Sequence, residues 1–335
     1  MADNGLWAHI VGTGSITPKR ILSNKDLEKI VDTSDDWITR RSGIKERRIS
    51  SNGRHETTTD MGTQASRRAL EMAGMSPQDL DMIIVGTVTG DRHFPSTGCM
   101  VQKDLDAPNA AAFDVSAGCT GFLYALTMAH NAIRTGMVKN ALVVGAERLS
   151  SITNWTDRGT CVLLADGAGA VVLSCEEEKG GVLSNHMKSD GSQWELLYSS
   201  DGNFAPPEIL NDMDSHPFHL KMEGSRIFKQ AIERMTTAAK EALAYNGLTM
   251  EDIALAISSI ITTPWRYWNG HMLFKSKKAT RSLSLSRCSR SGCRPGMALN
   301  SPLIKVIPLF SDGIPRYSSR SRTVLPSFSF TCRLA

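Results

Sequence analysis

Hydrophobic residues along this chain follow two patterns, short continuous apolar runs and longer segments with helical spacing. Continuous runs typical of buried strands occupy Trp7–Ser15, Asp81–Thr89, Ala110–Val115 and Ala141–Ala146, and a glycine-interrupted strand pair is predicted over Leu164–Leu173. Helical spacing predicts helices over Asn24–Val31, Asp32–Arg41, Thr59–Ala73, Thr97–Leu105 and from Cys119 to about Gly136. Apolar strands that alternate with helices indicate a layered α/β core.

Polar residues mark where several of these helices begin and end. Ser34 is the predicted N-cap of the second helix, with Asp35 and Asp36 in its first turn, where carboxylates favour the positive end of the helix. Gly43 and Gly74 follow two of the helical segments and are predicted to end them.

The second part of the chain repeats a similar order of elements. Gly180–Lys188 is predicted as a strand, and a polar loop follows to about Pro217. The stretch His219–Lys229 leads into a helix through Tyr245, and Glu251–Ile257 is predicted as a strand. We therefore predict two halves related by an internal duplication, residues 1–176 and the start of a second half at 177–257.

Length and composition favour a protein that is soluble in the cytoplasm. The chain has 335 residues, of which 41% are hydrophobic and 21% charged. We find neither a signal peptide nor an apolar run long enough to cross a bilayer, so no membrane association is expected. Seven cysteines are scattered without the spacing of metal ligands, which suits free thiols in a reducing compartment and predicts no metal site.

The charge is distributed unevenly between residues 1–257 and the tail, residues 258–335. The tail carries thirteen Lys and Arg against the single acid Asp312, a local balance of +12, and it also holds fifteen serines. Such a block is compatible with a nucleic-acid-binding arm, but it lacks helical or strand periodicity and an ordered interleaving of aromatic with basic residues. We therefore expect no nucleic-acid partner, and the composition of the tail predicts a poorly ordered segment.

Cys119 is the residue most suited to covalent chemistry. It follows the apolar run Ala110–Val115 and the small residues Ser116–Gly118, at the predicted start of a helix. The positive end of the helix dipole and the unpaired backbone N–H groups there favour the thiolate, which is the nucleophilic form. A buried structural cysteine is the alternative interpretation.

Trp37 is the candidate for recognising a nucleotide. It lies beside Arg40 and Arg41, so its ring can stack on an adenine while guanidinium groups meet phosphates. Taken alone, Trp37 is also compatible with a packing role.

Nine motifs in family order resemble beta-ketoacyl-acyl-carrier-protein synthase III, of the thiolase-like superfamily. They span about residues 7–257 and are Gly12–Ser15, Asp32–Ile38, Ser42–Arg47, Phe94–Ser96, Ala112–Leu126, Ala141–Glu147, Thr156–Thr160, Asp166–Ala170 and Lys221–Lys229. The resemblance implies a thiolase-like layered α/β fold of two pseudo-symmetric halves, the second incomplete in this chain, and usually a homodimer.

The resemblance also implies an activity. The family transfers an acyl group from acyl-CoA to the cysteine, here Cys119, and condenses it with malonyl-acyl-carrier protein to start fatty-acid synthesis. Acyl-CoA is then a substrate, and no cofactor is expected.

Site residues follow from the same matches. Trp37 and Arg158 match the pair that brackets the CoA adenine, whereas Phe94 matches a residue that reaches the partner subunit's acyl pocket. Other CoA-channel positions are matched by Thr33, Arg41 and Phe228. A basic patch for the acidic carrier protein is formed by Lys221, Arg226 and Lys229.

The chain departs from the family where the decarboxylation chemistry is expected. The family supplies a His in a Pro-His-Gln-Ala-Asn setting and an Asn in a Gly-Asn-Thr-Ser setting, which together stabilise the enolate. Here Ile257 is followed by Ser258 and Ser259, and no Gly-Asn-Thr-Ser occurs. Two alternatives therefore stay open, a related synthase that uses another acyl-CoA starter and a non-condensing scaffold that binds CoA or a partner.

We predict that the tail is translated out of frame. When each codon of Ile260–Gly270 is read one base earlier, its first four triplets encode only His, Asn, Tyr or Asp, and the following triplets suit an amphipathic helix. One inserted or deleted base near codons 257–259 would explain both the missing His and Asn and the abrupt change in charge.

Sequencing the gene checks this prediction. Restoring the frame is expected to recover the Pro-His and Gly-Asn-Thr-Ser motifs together with condensing activity, whereas the chain as written acylates poorly and does not condense. A gene without such a downstream open frame would contradict the frameshift.

Overall fold

A mixed five-stranded sheet forms the centre of the part of the chain that the structure describes. The computed structural model describes residues 5–51, 56–199 and 219–253, and the backbone of the short strands 255–256 and 306–307. The predictions for most of the tail, and for the loop up to Pro217 from residue 200 onward, lie outside the described residues.

Strands and helices are interspersed along the chain. The strands are β1 (Trp7–Ile16), β2 (Ile21–Ser23), β3 (Glu46–Arg48), β4 (Met82–Gly86), β5 (Ala111–Val115), β6 (Asn140–Arg148), β7 (Asp166–Glu176), β8 (Leu197–Tyr198), β9 (Lys221–Met222), β10 (Leu255–Ala256) and β11 (Val306–Ile307). The helices are α1 (Asn24–Leu27), α2 (Asp35–Ser42), α3 (Thr58–Ala73), α4 (Thr97–Leu105), α5 (Gly121–Arg134), α6 (Arg158–Cys161) and α7 (Gly224–Tyr245).

The sheet has the strand order β1-β7-β6-β4-β5. Strand β4 runs parallel to both β5 and β6, whereas β7 is antiparallel to β6 and to β1. Three further pairs of short strands, β2-β3, β8-β9 and β10-β11, lie outside this sheet. The predicted α/β class is confirmed.

Helices cover both faces of the sheet, and the pleat of β4 shows why its sequence is apolar throughout. Ile83 and Val85 pack into the cluster that α3 and α4 form on one face, while Met82 and Ile84 pack into the cluster under α5 on the other. Because successive side chains of a strand point to opposite faces, a strand covered on both sides has no position left for a polar residue.

Capping residues fix the helix ends, and those predicted at Ser34, Gly43 and Gly74 are confirmed. The Ser34 side chain accepts a hydrogen bond from the backbone N–H of Trp37, and Gly43 ends α2 in the left-handed conformation. Thr57 and Asp60 form a reciprocal capping box at the start of α3, and Gly74 ends that helix.

Four predicted segments differ from the structure. The strand pair over Leu164–Leu173 is wrong, because β7 is one continuous strand in which Gly169 pairs with both β6 and β1. The strand over Gly180–Lys188 is also wrong, since Gly181 has a φ of +68° and the segment makes a single backbone hydrogen bond to β1, from Val182 to Ala8. Helix α1 ends at Leu27, and the predicted strand at Glu251–Ile257 begins later than predicted, because a capped 3-10 turn occupies Met250–Asp252 before β10.

A buried carboxyl group joins the ends of β4 and β6 beside the site described below. Glu147 is 3% exposed and accepts hydrogen bonds from the Val88 backbone N–H at 2.9 Å and from the hydroxyls of Thr87 and Thr89. Burial raises the pKa of Glu147 to about 7, although these hydrogen bonds oppose the shift. Ionisation strengthens the hydrogen bonds that the group accepts but places a charge in a buried site, and the cost of that burial is the larger effect.

This raised pKa predicts how stability depends on pH. The folded protein binds the Glu147 proton more tightly than the unfolded chain does, so the contribution is complete below pH 4.5, the ordinary pKa of a glutamate, and is lost as the pH rises through about 7. We expect Glu147→Gln, which stays neutral, to gain up to about 3 kcal/mol in unfolding free energy relative to the wild type between pH 5 and pH 8. Urea unfolding at the two pH values measures this difference, with Glu176→Gln at an exposed position of β7 as the control. An equal pH dependence in wild type and Glu147→Gln would contradict it.

Candidate active site

Cys119 lies in the short connection between β5 and α5. The connection consists of a 3-10 turn over Gly118–Thr120, so the cysteine precedes the first residue of α5 by two positions instead of occupying the first turn of that helix. Gly118 has a φ of +53°, a conformation that favours glycine and turns the chain from the strand toward the helix. The thiol is half-buried against Leu149, Leu164 and Leu220, which leaves part of its surface accessible.

A close backbone contact fixes the position of this turn. A Cβ atom at Gly86, the last residue of β4, would lie 2.5 Å from the backbone carbonyl carbon of Gly121, the first residue of α5. Only glycine lets the helix approach the strand end at this distance, and any side chain at position 86 would displace α5. The location of Cys119 therefore depends on packing between backbones.

The other described cysteines are less suited to nucleophilic attack. Cys161 is fully buried, and burial together with the nearby Asp157 raises the pKa of its thiol to about 11. The Cys99 thiol lies 3.4 Å from the backbone carbonyl of Ala112 and points at the strand. Cys175 packs against the cluster beneath α5. Cys119 is thus the best-placed nucleophile of the four.

Trp37 contacts two guanidinium groups, as the sequence suggests for a nucleotide-binding tryptophan. The Arg41 and Arg158 guanidinium carbons lie 4.6 and 4.7 Å from the centre of the indole ring. Arg158 also donates a hydrogen bond of 2.9 Å to the backbone carbonyl of Asp32, which precedes α2. Residues from α2 and α6, far apart in the sequence, therefore meet at one aromatic ring.

The distance between Arg158 and the indole leaves no room for an aromatic base between the two side chains. An aromatic base between two stacking groups needs about 7 Å, twice a van der Waals spacing. Arg158 lies at 4.7 Å, so it must move away from Trp37 for a base to enter between them. Half of its side-chain surface is exposed, at 47%, which leaves room for that movement.

The cysteine and the tryptophan belong to adjoining apolar clusters. Trp37 packs in a cluster with Val162 and Leu163, and Cys119 packs in one with Leu164. Met222 on β9 contacts both clusters, so a chain of apolar contacts connects the two candidate residues.

The remaining sequence-predicted residues take different positions. The Thr33 hydroxyl is buried and has no hydrogen-bond partner among the described residues. Phe228 is half-buried on α7, six residues after Met222. Phe94 is 85% exposed in the loop before α4 and takes no part in the site of its own subunit's described residues.

The predicted basic patch lies on β9 and the first turns of α7. Lys221 and Lys229 are exposed, whereas Arg226 forms a 3.0 Å ion pair with Glu223. This neighbouring acid reduces the positive charge of the patch. Both partners of the pair remain more than half exposed, so an acidic surface can still compete for the arginine.

Two buried residues were missed by the sequence reasoning. Arg47 and Glu147 both occur inside recognised motifs, but the sequence alone does not show which charged residue of a motif turns inward. Alternation along β3 is the signal that could have singled out Arg47, because it lies between two more exposed neighbours.

Residues 5–51, 56–199 and 219–253 contain neither a metal site nor a membrane span. No group of three or more His, Cys, Asp or Glu side chains is placed there to hold a metal ion. No helix of this described part is long and apolar enough to cross a membrane.

Comparison with known proteins gives a consistent result. The family model for 3-oxoacyl-[acyl-carrier-protein] synthase III matches residues 113–191, which include Cys119. A protein of Caldanaerobacter subterraneus subsp. tengcongensis named beta-ketoacyl-[acyl-carrier-protein] synthase III is 51% identical over 250 residues, 75% of each chain. Its namesake from Aquifex aeolicus is 46% identical over 248 residues, 74% of each chain.

Solved structures agree with the sequence relatives. The crystal structure of 3-oxoacyl-[acyl-carrier-protein] synthase III from Aquifex aeolicus superposes with a TM-score of 0.69 at 44% identity, covering 76% of this chain and 77% of the other. The priming beta-ketosynthase of the R1128 polyketide pathway superposes with a TM-score of 0.68 at 34% identity, covering 76% of this chain and 74% of the other.

The mixed sheet, the position of Cys119 and the superposed synthase structures together identify a thiolase-like acyltransferase. Within that class, the relatives at 46–51% identity decide the family. The chain belongs to the beta-ketoacyl-[acyl-carrier-protein] synthase III family.

The contacts of Trp37 lead to a prediction for nucleotide binding. We expect Trp37→Ala to weaken CoA binding by about 1–3 kcal/mol, the range for loss of base–aromatic stacking. Titration calorimetry with CoA measures the change. Trp194→Ala, at a tryptophan that is 61% exposed, is the control. Unchanged CoA affinity in Trp37→Ala would make Trp37 a packing residue only.

Proposed function

We propose that this chain is built to transfer the acyl group of an acyl-CoA to Cys119 and to condense it with malonyl-acyl-carrier protein, the step that initiates fatty-acid synthesis. The observation that carries the proposal is the chain of apolar contacts that connects a half-buried thiol to a tryptophan flanked by two guanidinium groups. The thiol can attack a thioester, and the tryptophan with its two guanidinium groups can bind an adenine and its phosphates.

The acylation step uses residues whose positions are described. The Cys119 thiolate attacks the thioester carbonyl, the carbon–sulfur bond of acyl-CoA breaks, and CoA leaves as a thiol after taking up a proton. Trp37 and Arg158 bind the adenine, and Thr33, Arg41 and Phe228 line the channel toward the thiol.

The condensation step depends on groups that this sequence lacks. Malonyl-acyl-carrier protein loses CO₂, and the resulting carbanion attacks the acyl group on Cys119, which releases a β-ketoacyl-carrier protein and the free thiol. The enolate that forms on the way needs hydrogen-bond donors, the role of the family's His and Asn. Without them we expect the chain as written to stop at the acyl-enzyme.

The preferred acyl starter separates this proposal from its nearest alternative. The similarity to a priming ketosynthase of a polyketide pathway favours a second candidate, a related synthase that uses a different acyl-CoA. Both candidates share the Cys119 acyl-enzyme. The two candidates are distinguished by the rate at which acyl-CoAs of increasing chain length acylate Cys119.

The carrier protein and a second copy of the chain are the proposed macromolecular partners. Lys221, Arg226 and Lys229 supply positive charge for the acidic carrier protein, which favours encounter at low salt. A homodimer is supported by β5, an edge strand of the described sheet, and by the exposed Phe94, since a second copy would cover both. Sedimentation of the chain as a monomer at micromolar concentration would contradict the dimer.

A reducing compartment is the proposed location. Cys99, Cys119, Cys161 and Cys175 are all free thiols in the structure, which agrees with the cytoplasm. We propose no cofactor, because CoA enters and leaves as part of the substrate.

Labelling with acetyl-CoA tests the proposed function. After incubation, mass spectrometry of peptides is expected to locate the acetyl group on Cys119, slowly and without condensed product when malonyl-carrier protein is added. Cys119→Ser abolishes this labelling, and Cys161→Ser, at the buried thiol, leaves it unchanged. An acetyl group on Cys99, Cys161 or Cys175 instead would contradict the assignment. A condensed product from the chain as written would contradict the role given to the missing His and Asn.

A further inference from the structure

A buried arginine connects the two sides of the candidate nucleotide site. Arg47 is 1% exposed and donates hydrogen bonds to the Val162 carbonyl from Nε at 3.0 Å and from Nη2 at 2.6 Å. Its Nη1 donates to the Asn24 side-chain oxygen at 2.7 Å. We propose that Arg47 is a positioning residue for acyl-CoA, holding the backbones of α2 and α6 in the relative positions from which Trp37 and a displaced Arg158 side chain can bracket the nucleotide. The inference rests on the proposed function.

The contact with Asn24 leads to the tryptophan side of the site. Asn24 is 1% exposed, and its side-chain nitrogen donates to the Asp35 carboxylate and to the Ile44 carbonyl, both at 2.7 Å. Asp35 opens α2, two residues before Trp37, and Ile44 follows its capping glycine. One buried amide therefore fixes both ends of the helix that carries the tryptophan.

The contact with Val162 leads to the arginine side. Val162 is the C-cap of α6, the four-residue helix whose first residue is Arg158. Because this helix has a single turn, fixing the carbonyl at its end limits how far its first residue can shift. The Arg47 guanidinium thus links the end of α6 to Asn24 on α1. Through Asn24 it is also linked to α2, the helix that carries Trp37.

Arginine suits this position better than lysine for a geometric reason. Its planar group donates in two directions at once, to the Val162 carbonyl and to the Asn24 oxygen. Lysine can reach one acceptor and leaves the other buried without a donor. Arg47→Lys keeps the charge and breaks one side of the link, so it tests positioning without removing the whole side chain.

The experiment measures two readouts on the full chain. Titration calorimetry gives the dissociation constant for CoA, and the rate of Cys119 alkylation by iodoacetamide, followed by mass spectrometry, monitors the setting of the nucleophile. We expect Arg47→Lys to weaken CoA binding by about tenfold, with the alkylation rate within twofold of the wild type. Arg48→Lys, at the neighbouring and more exposed position of β3, is the matched control and leaves both readouts unchanged.

A second variant covers the case in which Arg47→Lys fails to fold. Asn24→Ala keeps Arg47 and cuts its link to Asp35, and it is expected to weaken CoA binding with the same unchanged alkylation rate. In a Trp37→Ala background, either substitution loses most of its effect on CoA affinity, because both act through the same stacking site.

The outcomes separate the inference from the proposed function. Two results overturn the positioning role: wild-type CoA affinity in both variants, or equal losses in CoA affinity and in alkylation rate. In either case the proposed nucleotide site stands as long as Trp37→Ala weakens CoA binding. If Trp37→Ala also leaves CoA affinity unchanged, the nucleotide site itself is wrong, and the inference falls with it.

Discussion

The backbone contact between the end of β4 and the start of α5 is the constraint on which the site depends. Gly86 and Gly121 approach so closely that a side chain at position 86 would clash with the start of the helix. Strand β4 is covered on both faces by apolar clusters, which fixes it in turn. The turn that bears Cys119 follows from this contact, so a rigid core positions the thiol and the surrounding loops need only shape the approach to it.

A network of buried polar groups has the corresponding role at the proposed nucleotide site. Arg47 and Asn24 connect segments that share no sheet, and each donor finds an acceptor in the protein interior. Asp166 links the chain after β3 to the turn after β6, because its carboxylate accepts hydrogen bonds from the backbone N–H groups of Ser50 and Ser150. Forming such a network costs desolvation free energy, and a buried polar group left without its partner costs more. The network therefore favours the one arrangement in which every group has a partner.

The sequence predicted the elements whose signals are local. The caps of α2 and the apolar run of β4 depend on a few neighbouring residues, and both are confirmed. Cys119 was located by the change from an apolar strand to small residues, although the intervening 3-10 turn was not expected. These features need no knowledge of distant parts of the chain.

Features that depend on tertiary pairing could not be predicted in this way. Gly167 and Gly169 resemble breakers in the sequence, but in the structure they lie in a continuous strand of the sheet, where Gly169 has partners on both sides. Arg47 and Glu147 look like surface charges until the pleat of their strands and their distant acceptors or donors are known. The closed spacing of Trp37 and Arg158 likewise arises from the packing of α6 against α2.

A crystal structure of the chain soaked with acetyl-CoA tests the central claim most directly, namely that one continuous site joins Trp37 to Cys119. We expect an adenine stacked on the Trp37 indole, with Arg158 displaced from the ring, and an acetyl carbon bonded to the Cys119 sulfur or within about 3.5 Å of it. A nucleotide bound away from Trp37, or an acetyl group on another cysteine, would contradict the account.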